Sequence, residues 1–437
     1  MDDTSQTVSL EQWPLNPECY VPPGQDPANC HRILAEISPD LFQITGGGVR
    51  MYRDCSPQKG IEFHFVSSEM LESTTWDNST DNIPEGQGMV FWIQPHFSWG
   101  QLGITENAFR RLLADHRVFT PLLDIVYGFG AKTNDHQRFR DFVHLHHHTI
   151  QDFEFCYNIQ YYELNGRGRG NPWSLRQTGV YQQMLTTRYT WIVISVSDYL
   201  QARFGEFFGT YSGTKAGYCV GRVLLGHLII LSMTTRNWDA YIECLRQKIL
   251  SFEYKTVSSS IDPKLSDAPD LILSGVPKAN ALCSTIAISK TILNSQTTFL
   301  LALQKLHTKV SGKGTKACSC HIASAIQLKH MEIRNHLKAV DLMGKRAERL
   351  PHTISTILST RAQTKLHATL TQIQVQVHGT LCKTLEASND VKDLVQVTTS
   401  GHKDSKTIKS LAEIATVFLP LSFLAVSFQS LNSEITI

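Results

Sequence analysis

Nine apolar residues, Ile354, Leu358, Ala362, Leu366, Leu370, Ile373, Val377, Leu381 and Leu385, recur at steps of four with a single step of three. Only an α-helix keeps such a set on one face. The spacing predicts one long helix from about Thr353 to Thr398, with Leu394 continuing the stripe, and a length of roughly 70 Å. A helix of that length must bury its stripe. The choices are the two shorter apolar patterns at 286–310 and 322–342, or the same helix of another subunit. Gly401 breaks the pattern and marks a hinge or a helix end.

Between Glu413 and Glu434 lie twenty residues without a formal charge. As a helix they span ~30 Å, the thickness of a bilayer's hydrocarbon core. The stretch Ile414 to Ser433 is therefore a candidate membrane contact. Lys403, Lys406 and Lys409 precede it and only Glu434 follows, so the positive-inside rule keeps the large N-terminal part in the cytosol. Pro420, Ser427, Gln429 and Ser430 make the segment a marginal span.

Upstream the period changes. Ile61, Phe63 and Phe65 alternate with polar residues, as do Phe153, Phe155, Tyr157, Ile159 and Tyr161, while 89–93 and 189–196 are short apolar or β-branched runs. These are strand signals. Thr105 is placed to cap a helix carrying Phe109, Leu112 and Leu113, and Trp238, Tyr241, Ile242, Leu245 and Ile249 mark another. The apolar run from Val223 to Met233 has eleven residues and reads as buried helix, too short for a span. The expected fold class is α+β. An irregular N-terminal region (1–60) precedes a mixed α/β domain (61–262), followed by a helical bundle or stalk (281–403) and one C-terminal membrane-span candidate (404–433).

Charge divides at the same place. From Ala281 onward eighteen Lys and Arg face nine Asp and Glu, and before it 23 face 30, so the net charge of +2 joins an acidic part to a basic one. The cations are scattered singly, as on a solvated helix face, and no nucleic-acid partner is expected. The acidic, polar N-terminus has no apolar core of a secretory signal. Ten cysteines without regular spacing then read as reduced thiols.

Two segments resemble a known family. Asp404-Ser405, Lys406, Ile408, Leu411-Ala412, Phe418-Leu419-Pro420 and Phe423-Leu424-Ala425 resemble the first transmembrane helix of fungal CorA-like divalent-cation transporters. Pro172, Trp173, Arg176, Gln177, Gly179 and Tyr181 look like a segment in the soluble part of the same group. The likeness implies a cytosolic domain, a long stalk helix leading into the span, five subunits around the stalk, and Mg2+ as transported ion. In that family a Gly-Met-Asn filter and a second span follow the first. Here Gln429, Ser430, Leu431 and Asn432 follow Phe428. A pore needs those elements, so the resemblance implies a relative truncated after the first transmembrane helix, accessory or non-conducting.

Other clusters point more weakly to chemistry. His144 and His148 would share a helix face at metal-ligand spacing, beside His146 and His147. No Glu sits between them and the sequence nominates no third ligand. Cys318, Cys320 and His321 bring two thiols and an imidazole together, in a segment whose Gly312, Gly314 and lysines read as a mobile loop. Gly166-Arg167-Gly168-Arg169-Gly170 lacks the ending of a phosphate loop and reads as a flexible basic loop, and Gly46-Gly47-Gly48 is equally unspecific. No nucleophile elbow, zinc-protease motif or paired carboxylates appear. No enzyme is expected and no resident cofactor is assigned. The alternative to a membrane-associated CorA-like protein is a cytoplasmic interaction module in which 414–431 buries itself in a helical bundle.

Overall fold

The computed structural model describes residues 13–15, 20–54, 61–73, 88–97, 100–131, 142–149, 152–185, 188–210, 216–261, 269–310, 316–401 and position 416. Seven strands are described: β1 Gly48–Asp54, β2 Ile61–Ser67, β3 Gly88–Ile93, β4 Val143–His147, β5 Phe153–Leu164, β6 Trp173–Leu185 and β7 Arg188–Ile194. They form one sheet in the order β2-β1-β3-β7-β6-β5-β4. Only the β3–β7 pair is parallel among the described strands; every other neighbour is antiparallel.

Helices cover both faces of the sheet. On one lie α1 Pro27–Leu41, α3 Glu106–Asp115 and α4 Leu122–Val126, with the short α2 Ser68–Glu72 beside them. Their side chains join Met51, Phe91, Ile93, Tyr181, Ile192 and Ile194 in one core. On the other face lie α5 Asp198–Thr210, α6 Ala216–Thr235 and α8 Pro269–Val310, followed by α7 Trp238–Ile261 and α9 Lys316–Ala347. Here Tyr157 meets Phe299 at 4.2 Å and Trp191 meets His227 at 4.5 Å between ring centroids. Such ring pairs contribute about 0.5–1.5 kcal/mol each beyond the area they bury.

Burial on both faces explains the sequence pattern. All six residues of β3 are buried, as are the last six of β7, which is why these strands read as continuous apolar runs. The β5 alternation does indicate a strand, yet its polar members are not solvated. Glu154, Asn158 and Gln160 are 2 %, 1 % and 4 % exposed, because α4 and its neighbours close the face that a half-buried strand would leave to water.

Local chemistry sets the helix starts. The Asp26 carboxylate accepts from the Ala28 amide with Pro27 as first helical residue, and the Thr105 hydroxyl accepts from the Ala108 amide. The run at 223–233 is buried helix as expected, enclosed in α6 between the sheet and α9. The stretch 1–60 is a correction: expected to be irregular, it contains α1 and β1.

By compactness the chain divides into Met1–Ser355 and Thr356–Ile437; the changes in period and charge fall earlier, at about 262–281. The first unit holds α8 and α9 together with the sheet, which they help to cover.

The long helix is α10, Arg349–Gly401, 53 residues and roughly 80 Å. Its threonines fit a helix because their hydroxyls bond the carbonyl four residues back, as from Thr360, Thr364, Thr369 and Thr380. The expected burial of its stripe holds only at the start. Ile354 is buried, whereas Leu366, Leu370 and Val377 are 61 %, 56 % and 61 % exposed. α8 and α9 pack on each other and on the sheet domain instead.

Among the described residues no helix is long and apolar enough to cross a membrane. The segment 404–433, including Asp404, Ser405, Phe418, Leu419, Pro420, Phe423 and Ala425, lies outside them apart from Thr416.

Candidate functional site

The Trp173–Tyr181 segment forms the first two thirds of β6, and most of its side chains are explained by packing. Trp173 stands edge-on to Tyr241 at 5.4 Å, and Tyr181, fully buried, packs against Phe119 at 5.4 Å. Gln177 donates its amide to the Gly128 carbonyl beyond α4 at 3.1 Å. Gly179 faces α4, where an added Cβ would lie 2.7 Å from Ile125 Cγ2 and 2.9 Å from Phe129 Cε2. Gly179→Ala is therefore expected to destabilise the protein by about 1–3 kcal/mol, since neither buried side chain has room to retreat. Thermal unfolding checks this, and an unchanged melting temperature would mean that α4 shifts freely.

Arg176 differs from its neighbours in facing a cavity. The β5–β6 hairpin outruns β7, whose last residue, Ile194, pairs with Gly179. Residues 173–178 of β6 thus extend past the end of β7, where Arg176, with Tyr161 and Glu163 of β5, lines a crevice of about 330 Å³. Gln94 and Ser195, the residues following the parallel strands β3 and β7, line its floor. Ligands bind at this end of parallel strands in open α/β sheets.

The crevice is held by specific bonds. Ser195 has φ +57°, outside the usual range for a residue with a side chain, and turns the chain from β7 towards α5. Its amide donates to the Ile93 carbonyl at 2.8 Å, its carbonyl accepts from the Thr178 hydroxyl at 2.9 Å, and Gln94 Nε2 donates to the Val196 carbonyl at 2.9 Å. Glu163 lies between two guanidinium groups, with Arg176 Nε 3.6 Å from one carboxylate oxygen and Arg236 Nη2 3.6 Å from the other.

The histidine run lies on a strand and not on a helix. On β4, His144 pairs with Cys156 and His146 with Glu154, so these two histidines share a face by strand alternation. His144 packs against Phe119 and Phe142, and His146 stacks on Tyr20 at 3.5 Å. Burial, then the neighbouring histidines, push His146 down to about 4. His148, just past the strand, lies 3.9 Å from the buried Glu154 carboxylate, which raises its pKa against the opposing effect of burial.

Cys318, Cys320 and His321 lie in the first turns of α9, and the expected loop reading is corrected at these positions. Cys320 is exposed. Among the described residues no group of three or more His, Cys, Asp or Glu side chains is arranged to hold a metal ion.

The glycine-arginine segment is the exposed turn of the β5–β6 hairpin, with Gly166, Gly168 and Gly170 at positive φ and Asn165 closing it onto Pro172. Gly47, at φ +74°, passes so close to the Gly103 carbonyl that a Cβ would sit 2.4 Å from its oxygen, a packing requirement. The crevice itself could not be located from sequence. Glu163, Arg176, Ser195 and Arg236 meet only through the sheet register and the turn between α6 and α7.

No curated protein matches the chain by sequence. Among solved structures it is similar to the ZntB cytoplasmic domain from Vibrio parahaemolyticus, at 9 % identity and a TM-score of 0.39 over 71 % of this chain and 98 % of that one. The full-length CmaX protein aligns at 10 % identity and 0.39 over 74 % and 81 %, respectively. The complete CorA magnesium transporter from Methanocaldococcus jannaschii aligns at 9 % and 0.38 over 76 % and 83 %. The family model described as CorA-like transporters matches residues 8–257, more than half of the 437, and the chain belongs to that family.

Proposed function

We propose that this chain is a membrane-associated, self-assembling member of the divalent-cation transport family, in which the sheet domain and α10 serve assembly and the 437 residues do not conduct magnesium on their own. The observation that carries the reading is the apolar stripe of α10, exposed in the single chain over Leu366, Leu370, Ile373, Val377, Leu381 and Leu385. An apolar seam about five turns long, left to water, is what a helix offers to copies of itself. CorA-like transporters are channels or transporters and not enzymes, and membrane association accords with membership. The proposal of an accessory, non-conducting role rests on the sequence, which contains no Gly-Met-Asn triplet from which a ring of filter residues could be built.

Flotation of the purified chain with liposomes, followed by magnesium flux measured on the floated fraction, tests both parts. The protein is expected to rise with the vesicles and to give no flux above protein-free controls. Protein left wholly at the bottom of the gradient would overturn the membrane assignment, and robust flux would overturn the non-conducting one.

A further inference from the structure

Arg176 lines the crevice beyond β3 and β7, and Arg236 reaches its margin against the lining residues Glu163 and Tyr199; neither arginine forms a close ion pair there. Both N···O distances to Glu163 are 3.6 Å, beyond the 2.7–2.9 Å of a charge-assisted hydrogen bond. Arg176 Nε is a buried donor atom with no hydrogen-bond partner, an arrangement that costs free energy unless something else accepts from it. Arg236 is held from behind, its guanidinium 3.6 Å above the Tyr199 ring, so the cation is positioned by stacking and not by its carboxylate neighbour.

The amino end of α5 adds positive potential to a wall that also carries the carboxylates of Glu163 and Asp198. α5 begins at the crevice, and the Ser197 hydroxyl accepts from the Leu200 amide, leaving the amides that open the helix at the cavity edge with the positive end of the helix dipole. Asp198 is exposed to solvent, so Glu163, 15 % exposed, is the carboxylate held against the two arginines. Phe97 and Tyr199, 66 % and 50 % exposed, provide apolar surface at the rim.

We propose that this crevice binds a small anion through a carboxylate or phosphate group, which takes the donors of Arg176 and Arg236 at the amino end of α5. Glu163 occupies the arginines in the empty crevice and competes with the anion. The volume of about 330 Å³ admits a phosphate or a di- or tricarboxylate of few carbons, at the lower end of the range for small-molecule pockets. The site lies within the sheet domain and does not depend on assembly or conduction.

The test titrates the full chain by calorimetry with sodium phosphate and, separately, with sodium citrate, ionic strength being held with sodium chloride. Saturable binding of at least one anion is expected, and the preferred one identifies the head group. Arg236→Gln is expected to weaken that binding about tenfold or more, the loss of one charge-assisted contact. Glu163→Gln is expected to tighten it severalfold, a gain that loss of a merely structural carboxylate would not give. Tyr199→Ala, at an exposed position, is expected to weaken binding by freeing Arg236, and it provides a further readout if Glu163→Gln does not fold. Absence of saturable binding with both anions would overturn the proposal. So would affinity unchanged in Arg236→Gln, or affinity lowered in a folded Glu163→Gln.

Discussion

Replacing Leu370 by aspartate is expected to reduce the assembled protein to monomers. Leu366, Leu370, Ile373 and Val377 lie on one face of α10, and Leu370 is 56 % exposed in the single chain. Burying a leucine side chain contributes about 1.5–3 kcal/mol, and a seam of several supports a stable helix assembly. An aspartate at its centre removes one of these contributions and places an unpaired carboxylate in an apolar interface, a penalty of several kcal/mol repeated in every subunit. Sedimentation velocity of the full chain should show the loss of the oligomer, with the sheet domain still folded by circular dichroism. Val375 supplies the control. It is 66 % exposed and, 140° from Leu370 around the helix, lies off the stripe, so Val375→Asp should assemble like the parent. A Leu370→Asp protein that sediments as the parent does would show that the stripe is not an interface.

Stability is expected to fall steeply as pH drops from 6.5 towards 4, because two histidines are buried as neutral rings. His116 and His227 are both wholly enclosed, and burial lowers them to about 4 and about 3. His227 shares a 3.0 Å hydrogen bond with Tyr157 and packs against Trp191 and Phe155. Unfolded, both rings would take protons near 6.5, so below that pH the unfolded chain binds more protons than the folded one. The stability is thus fully present above 6.5 and is lost as pH falls, down to about 4 for His116 and about 3 for His227. Each ring accounts for up to about 1.4 kcal/mol per pH unit within its window.

His148 acts in the opposite sense. Its pKa is raised by Glu154, so its contribution is present below the unfolded value and lost as pH rises through the folded one. Its side chain is 37 % exposed, and solvent screening keeps the effect small beside the buried pair. Melting temperatures between pH 7.5 and 4.5 should show the decline. In His227→Phe, which removes a titrating group at the cost of the Tyr157 bond, the melting temperature should be lower at neutral pH but less dependent on pH. An unchanged pH slope in that variant would show that His227 does not resist protonation.

Much of the fold was legible because periodicity is a local property. The strands at β2, β3, β5 and β7, the Thr105 cap, the buried helix at 223–233 and the full course of α10 all follow from residues close together in the chain. The misreadings share one cause. The histidine run has a helical spacing as well as a strand alternation, and only pairing with β5 makes it β4. Cys318 and His321 looked like part of a loop because Gly312, Gly314 and the lysines beside them come directly before α9 in the chain. The region before residue 60 showed no strong period, yet Gly48–Asp54 becomes a strand by lying between β2 and β3.

The candidate site divides in the same way. From the sequence by itself, Trp173, Arg176, Gln177, Gly179 and Tyr181 were visible as one segment with a family resemblance, and the α10 stripe as a surface that needed a partner. Which of these residues pack and which one faces a cavity was decided by tertiary structure. Gly179 is small because α4 crosses it, and Tyr181 is buried under Phe119, whereas Arg176 meets Glu163 and Arg236 where β6 outruns β7. Alternation along a strand shows that two faces differ and leaves unstated what lies on each. Coverage of β5 and β6 on both faces, and exposure of α10 beyond Ile354, depend on contacts between segments tens to hundreds of residues apart, and a local pattern carries no record of them.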